Sequence, residues 1–198
     1  MSAQNKILIQ LYHPLFHKSR VNHELIKAIE DLEGVNIRIM YDLYPDFHID
    51  IKAEQDLLEE YDIFVWQHPF YWYSSPSLLK EWIDVVLQHG FAYGREGKAL
   101  LDKKVLTAIS SGGRRDVYQE GGLRNYSIRQ LLAPFEQTVS LCNMHYLPPF
   151  VVHGSHLLDL EAIIKAGQEY RRAIIALRDG IISPVELLGF EYTNDFFA

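Results

Sequence analysis

The sequence holds a single cysteine, Cys142, among its 198 residues. One thiol cannot form a disulfide within the chain, and it excludes any metal site built from several cysteines. Cys142 stands in the apolar setting Leu141–Met144, where a lone thiol is more often a small buried residue than a nucleophile. We therefore expect no cysteine chemistry.

Positive charge and long apolar runs are also scarce. The chain has 19 Lys and Arg against 26 Asp and Glu, a formal net charge of −7, and no long basic run. Because proteins that grip nucleic-acid backbones carry a positive patch, we expect no nucleic acid partner. No apolar run approaches the roughly 18 to 20 residues that cross a bilayer, and Met1–Asn5 lack the build of a signal peptide. These absences predict a cytoplasmic protein.

The glycine-rich nucleotide signatures are missing as well. No GxxxxGK[ST] occurs, since Gly94–Lys98 has the wrong spacing, and this excludes a Walker phosphate loop. No GxGxxG occurs either, so the dinucleotide fingerprint of the Rossmann fold is absent. A phosphate site in this chain has to be built from other residues.

What the sequence does contain is a regular alternation of strand-like and helix-like segments. Strands are predicted over Lys6–Tyr12, Val35–Met40, Tyr61–Gln67, Lys104–Ile109 and His145–Val152, and helices over Ser19–Leu32, Ala53–Glu60, Ser77–Leu87, Asn125–Leu141 and Asp159–Leu177. This alternation indicates an α/β protein with a parallel sheet covered on both faces. With 48% hydrophobic residues and no linker, residues 1–198 are predicted to form a single domain. Ligands of such sheets bind beyond the carboxyl ends of the strands.

The loop after the first strand, His13–Asn22, brings Ser19 and Asn22 to the start of the first helix. The amide groups and the positive dipole end of a helix start attract anions, so this loop predicts a phosphate site. The alternative is that Ser19 only caps the helix. Histidines beside a phosphate, here His13 and His17, more often donate hydrogen bonds than hold a metal, so we expect no metal site.

Two further loops follow strands at the same predicted edge. The third strand runs into QHPFYWYSSPSLLKEW, which contains the consecutive residues Pro69, Phe70, Tyr71, Trp72 and Tyr73. The fourth strand is followed by Ser110, Ser111, Gly112 and Gly113. The two glycines either let backbone amides approach a ligand or simply form a turn. A phosphate site, a wall of rings and a bare backbone together suit a flat ring system with one phosphate, and flavin mononucleotide (FMN) is the simplest such ligand.

These segments carry a resemblance to a known family. His13–Pro14, SRVN, DLYPDFHIDI (Asp42–Ile51), Gln67–Gly94 and SSGGRRDVY resemble the flavodoxin-like NAD(P)H dehydrogenase (quinone) family, especially the bacterial ancillary proteins of glutathione-regulated potassium efflux systems. The resemblance extends to about Pro149. It implies a flavodoxin-like three-layer fold with a doubly wound, five-stranded parallel sheet of strand order 2-1-3-4-5.

The resemblance also implies roles for individual residues. His13, Ser19 and Asn22 would hold the flavin phosphate region; Pro69 to Tyr73 would run along the isoalloxazine, with Trp72 against the ring; Ser110, Ser111, Gly112 and Gly113 would face its pyrimidine side; and the Tyr118 hydroxyl would lie near the flavin N1 and O2 edge. Arg124 stands where mammalian quinone reductases have a histidine. The resemblance further implies a homodimer in which Tyr93 faces the flavin of the other subunit.

The implied function is an enzyme with FMN rather than FAD as cofactor and NAD(P)H as co-substrate. Hydride would pass from the nicotinamide to flavin N5 and then to a quinone or a related electrophile. Arg124 would stabilise charge on the reduced flavin, grip a nicotinamide phosphate, or face water. The alternative function is a regulatory subunit that activates a membrane potassium efflux transporter, which would bring the chain to the inner membrane. An electron-transfer flavodoxin is disfavoured because the T/S-x-T-G-x-T phosphate loop is absent.

Overall fold

The computed structural model describes residues 4–119 and 121–197. The strands are β1 (Ile7–Leu11), β2 (Val35–Ile39), β3 (Ile63–Pro69), β4 (Lys104–Ser110), β5 (His145–Tyr146) and β6 (Phe150–Val152). The helices are α1 (Arg20–Lys27), α2 (Met40–Leu43), α3 (Ile51–Glu59), α4 (Ser77–Val86), α5 (Ile128–Leu131), α6 (Ala133–Leu141), α7 (Leu160–Arg178), α8 (Pro184–Leu187) and α9 (Thr193–Phe196). Short 3₁₀ helices span Phe16–Lys18 and Arg115–Val117.

All strand pairs of the sheet are parallel, and their order is β2-β1-β3-β4-β5, with β6 also paired to β4. Ile9 of β1 lies opposite Ile37 of β2 on one side and Val65 of β3 on the other. The predicted fold class and strand order are therefore confirmed. Because β1 lies between β2 and β3, the connections leave it in opposite directions, which opens a crevice at the carboxyl end of the sheet.

Two apolar layers cover the sheet. On one face, Ile7, Ile9 and Val65 pack with residues of α1 and α7; on the other, Leu8 and Phe64 pack with residues of α3, α4 and α6. Every residue of β1 and β3 is buried, which is why their apolar residues occupy consecutive positions, Ile7–Ile9 and Ile63–Trp66, and do not alternate with polar ones. Among the described residues, no helix has the length and apolar character needed to cross a bilayer.

The predicted fifth strand is interrupted. Instead of one strand over His145–Val152, β5 and β6 pair with opposite ends of β4 and are separated by Leu147–Pro149. Pro148 and Pro149 have no backbone N–H, so they cannot donate to the ladder of β4. The two consecutive prolines are the sequence signal for this interruption.

The predicted helix over Asn125–Leu141 is also divided. Asn125 has a φ of +60°, outside the helical region, and the first helix, α5, begins only after Ser127, which forms a capping box with Gln130. The second helix, α6, has Pro134 in its first turn, where the missing N–H costs no hydrogen bond. Proline thus marks a new helix start here and not a helix interior.

Candidate functional site

A cleft of about 520 Å³ opens at the carboxyl ends of β1, β3 and β4. Most of the predicted site residues converge on it, although they come from three separate loops. The lining consists of His13, Leu15, Lys18, Ser19, Arg20, Val21, Pro69, Phe70, Tyr71, Trp72, Tyr73, Ser110, Gly112, Gly113, Tyr118, Arg124, Ser155 and His156. The position agrees with the crevice expected for a doubly wound sheet.

The start of α1 forms one end of the cleft. Ser19 is the N-cap residue, and its Oγ accepts a hydrogen bond of 3.2 Å from the backbone N–H of Asn22. The next two residues, Arg20 and Val21, line the cleft, and the first amide groups of a helix have no acceptor within the helix. Ser19 therefore caps the helix and lines the cleft at once, so the two interpretations of this residue are compatible.

The charge of the lining differs from that of the whole chain. Lys18, Arg20 and Arg124 line the cleft, and no Asp or Glu is among the lining residues that the structure describes. The complete sequence nevertheless carries a formal net charge of −7. A cationic cleft at a helix start in an acidic protein suits an anionic ligand such as a phosphate.

His13 adds a neutral donor to this end of the cleft. Burial lowers the pKa of its imidazole, so the ring is uncharged at neutral pH. Its Nδ1 accepts a hydrogen bond of 3.1 Å from the backbone N–H of Leu15, which assigns the ring proton to Nε2. The Nε2–H group is then available as a hydrogen-bond donor.

Asn22 does not line the cleft, contrary to its predicted place beside the phosphate. Its side chain is fully buried beneath the cleft, where Nδ2 donates 2.9 Å to Ser110 Oγ and Oδ1 accepts 3.2 Å from Gln67 Nε2. Gln67 Oε1 in turn accepts from the Tyr170 hydroxyl at 3.0 Å. Asn22 thus joins α1 to β3 and β4 directly and to α7 through Gln67. Its phosphate contact stays a prediction.

The aromatic segment forms one wall, and its tip is a tight turn. The N–H of Ser74 donates 2.9 Å to the carbonyl of Tyr71, while Trp72 and Tyr73 have φ values of +49° and +64°. Positive φ at both central positions is typical of a type I′ turn, which normally takes Asn-Gly. Two aromatic residues there store strain of about 1–3 kcal/mol each. The Trp72 side chain is 92% exposed at the cleft mouth.

Of the two glycines after β4, Gly113 is required by the close approach of a buried ring, whereas Gly112 faces an exposed side chain that can move. A Cβ on Gly113 would lie 2.5 Å from Cε2 of the Tyr118 ring, and a Cβ on Gly112 would lie 3.1 Å from Cδ2 of His156. The neighbouring Ser111 is buried and does not line the cleft. Its Oγ accepts a hydrogen bond of 3.2 Å from the N–H of Gly113. The bare backbone predicted here is therefore present, but Ser111 supports it from beneath.

Tyr118 and Arg124 both reach the cleft, from the segment between β4 and α5. The Tyr118 ring is buried and meets the Phe70 ring edge-on at a centroid distance of 5.8 Å. Arg124 is exposed, and its backbone N–H donates 3.0 Å to the carbonyl of Val117. A phenol and a guanidinium are thus brought to the same cleft as the start of α1.

Tyr93 is not brought to the cleft of its own chain. It lies between α4 and β4, where its ring contacts that of His89 at 5.5 Å. Its predicted role across a dimer stays a prediction.

Sequence reasoning missed several lining residues, among them Lys18, Ser155 and His156. Ser155 and His156 follow the carboxyl end of β6, so applying the strand-end rule to the last strand would have found them. Lys18 flanks the capping Ser19.

Neither a metal nor a reactive thiol is indicated. Within residues 4–119 and 121–197, no three His, Cys, Asp or Glu side chains are grouped to hold a metal ion. Cys142 is buried, and burial raises the pKa of its thiol to about 11. A thiol so rarely ionised is a poor nucleophile, in line with the interpretation of Cys142 as a filler.

The chain matches the protein family described as flavodoxin-like fold over residues 5–176. The match ends inside α7, so α8 and α9 lie outside it. General stress protein 14 of Bacillus subtilis (strain 168) is 45% identical to this chain over 158 residues, which are 80% of this chain and 90% of that protein.

Solved structures show the same likeness. General stress protein 14 of Treponema denticola, in complex with FMN, is 37% identical with a TM-score of 0.79, over 89% of this chain and 99% of that one. An NADPH-quinone reductase of P. pentosaceus is 30% identical with a TM-score of 0.76, over 84% and 96%. A structure described as a thermophilic tryptophan halogenase of S. violaceusniger is 38% identical with a TM-score of 0.82, over 85% and 98%.

The activities named for these similar proteins differ, so the likeness identifies a family and not a reaction. The family match covers most of the chain, and the sheet order and the position of the cleft agree with it. The chain belongs to the flavodoxin-like fold family.

Proposed function

We propose that this chain binds FMN in the cleft and is an FMN-dependent NAD(P)H oxidoreductase that transfers hydride to quinones or related electrophiles. The observation that carries the proposal is the composition of the cleft, which joins a cationic helix start to a wall of aromatic rings and contains no described carboxylate. The FMN complex of the Treponema denticola protein and the NADPH-quinone reductase of P. pentosaceus support it by similarity.

The residues present fit FMN at both ends of the cleft. The phosphate would be held by Ser19, by the first amide groups of α1 and by the ammonium of Lys18. His13 would donate from Nε2 beside it. One helix start offers one phosphate position, which favours FMN over the diphosphate FAD. The isoalloxazine would lie between the aromatic wall, Pro69 to Tyr73, and the backbone of Gly112 and Gly113.

FMN, when bound, supplies the N5 position that accepts hydride from a nicotinamide and gives it to an organic acceptor. The protein contributes orientation and charge compensation. The Tyr118 hydroxyl is the candidate donor toward the negative charge that a reduced flavin gathers at N1 and O2. The Tyr118 ring is buried against Phe70, and a hydrogen bond made from this partly desolvated place would be stronger than one made in water.

The proposal includes a homodimer. Tyr71, Trp72 and Tyr73 are all exposed at the cleft mouth, and a second copy of the chain would cover them. In that arrangement Tyr93 of one copy would face the flavin of the other. Sedimentation should give twice the 23.0 kDa mass of one chain. A monomer with full quinone turnover would contradict the proposed dimer and leave the proposed enzymatic activity intact.

The function is tested on purified chain reconstituted with FMN. We expect the near-ultraviolet and blue absorbance bands of a bound oxidised flavin after desalting, and oxidation of NADH or NADPH that depends on added quinone. Chain stripped of flavin is the control and should show no turnover. Failure to retain FMN contradicts the proposal.

The regulatory alternative, in which the chain activates a potassium efflux transporter, stays a prediction from the resemblance. The same experiment separates it from the enzyme. A chain that retains FMN and turns over no quinone would favour the regulator.

A further inference from the structure

The C-terminal segment, residues 183–197 with α8 and α9, lies outside the region matched by the family and docks on the broken fifth strand. The backbone N–H of Thr193 donates 2.9 Å to the carbonyl of Pro149. The N–H of Val151 in β6 donates 2.7 Å to Asn194 Oδ1. The segment therefore satisfies backbone groups that the interruption between β5 and β6 leaves at the sheet edge.

From this docking point the segment holds both ends of the loop that carries Tyr118. At the near end, the Arg115 guanidinium donates 2.6 and 2.8 Å to the two carboxylate oxygens of Asp195 and 3.1 Å to Glu191 Oε2. At the far end, Arg129 Nη1 donates 3.2 Å to the carbonyl of Phe190. Arg115 is the first residue of the 3₁₀ helix that ends directly before Tyr118, so the position of Arg115 fixes where the backbone leads into Tyr118.

A row of neighbouring rings completes the connection between the segment and the cleft. The Arg115 guanidinium lies 4.7 Å from the centre of the Tyr192 ring. The Tyr192 ring is 5.4 Å from that of His153, and His153 is 6.4 Å from Tyr118. Both ring nitrogens of His153 are buried without a hydrogen-bond partner among the described residues. The His153 ring thus lies between the rings of Tyr192 and Tyr118.

We propose that the C-terminal segment positions the loop after β4 over the cleft, with Arg115 as the positioning residue, and that it thereby sets the affinity for the organic acceptor. The positioning follows from the contacts alone, whereas the effect on the acceptor rests on the proposed function. Single exposed ion pairs contribute little, but a bidentate Arg–carboxylate pair within a network holds its geometry better. If the contact is lost, the loop spends less time in the binding-competent position, and the apparent acceptor affinity falls by that fraction.

The test removes the two carboxylates without changing side-chain shape, in the FMN-loaded full chain carrying Asp195→Asn and Glu191→Gln. Hydrogen exchange of peptides covering residues 114–119 and 121–126 should become faster by about fivefold, the upper range for a network of this exposure. The KM for the quinone should rise by about the same factor at nearly constant kcat, because saturating acceptor restores the competent position. A merely structural role would lower the active fraction and leave KM unchanged.

The matched control is Asp31→Asn. Asp31 also forms a bidentate pair, with Arg171 of α7, but far from this loop. It should leave both loop exchange and the quinone KM at wild-type values. Unchanged loop exchange in the double variant overturns the proposal, and faster exchange with an unchanged KM overturns the role in acceptor affinity. Absence of quinone turnover in the wild-type chain would instead contradict the proposed function, while loop exchange would still report on positioning.

Discussion

At the scale of single residues, Tyr118 depends on Gly113, since a Cβ on that glycine would collide with the tyrosine ring. Tyr118→Phe keeps the ring against Phe70 and removes only the hydroxyl. Losing one hydrogen bond to the charge on the reduced flavin should slow flavin reduction by about tenfold or more, while the oxidised complex survives. Stopped-flow reduction measures this. Tyr126→Phe, on an exposed side chain of the same segment, is the control, and equal rates in both variants would remove Tyr118 from the chemistry.

Arg124 is the second residue whose role a single substitution resolves. If its guanidinium stabilises the reduced flavin, Arg124→Ala should slow reduction by NADH and NADPH alike. If it grips the 2′-phosphate of NADPH, only the NADPH reaction should suffer, mainly through a raised KM. Arg114→Ala is the matched control, because Arg114 belongs to the same loop but does not line the cleft. Wild-type rates with both nucleotides would leave Arg124 as a solvent-facing residue.

At the scale of elements, Asn22 joins α1 to β3 and β4, so its loss should be felt in stability as well as in flavin binding. Asn22→Ala removes the hydrogen-bond partner of two buried groups, Gln67 Nε2 and Ser110 Oγ. This should lower the free energy of unfolding by about 1–3 kcal/mol. Urea unfolding of the flavin-free chain measures this. Asn36→Ala, which removes an exposed bond to the Tyr61 hydroxyl, is the control and should cost well under half as much. Equal losses of unfolding free energy in the two variants would contradict the proposal that Asn22 connects α1 to β3 and β4.

The strands and helices also differ in how well the sequence predicts them. The strands β1, β3 and β4 are rich in apolar residues, so their positions and their parallel direction are predictable from the pattern, whereas the strand order is implied by the family resemblance. The short α9 has no such signal, because its contacts with Pro149 and Val151 are made across a long sequence separation. Tertiary pairing, and not local propensity, decides such pieces.

The same limit applies to side chains. The aromatic wall was predicted because Pro69 to Tyr73 are consecutive. The burial of Asn22 was not, since which neighbours take up its amide depends on three elements meeting. Glu54 is another case: in an acidic helix pattern it looks solvent-facing, yet it is fully buried and accepts hydrogen bonds from Arg38, Tyr44 and Trp82. The spacing of residues along the sequence does not show which distant side chains will be hydrogen-bond partners.

At the scale of the whole molecule, buried histidines make stability depend on pH. His68 is fully buried, its Nδ1–H donates 2.9 Å to the carbonyl of Pro69, and burial lowers its pKa to about 4. As the pH falls, the His68 imidazole therefore takes up a proton near pH 6.5 in the unfolded chain but only near pH 4 in the folded chain. The contribution of His68 is neutral above pH 6.5 and becomes destabilising as the pH falls through this window.

The size of this effect gives the last prediction. Each pH unit within the window costs about 1.4 kcal/mol, so His68 should lower the free energy of unfolding by about 2 kcal/mol between pH 6.5 and pH 5. His153, whose pKa burial and Arg115 also lower to about 4, titrates in the same range. The comparison of wild type with His68→Asn isolates one histidine, because asparagine keeps a donor toward Pro69 and does not titrate. Urea unfolding of flavin-free chain at pH 7 and pH 5 should show a shallower loss in the variant. An equal loss of stability in both proteins would contradict the prediction, because it would mean that the pKa of His68 is not lowered in the folded chain.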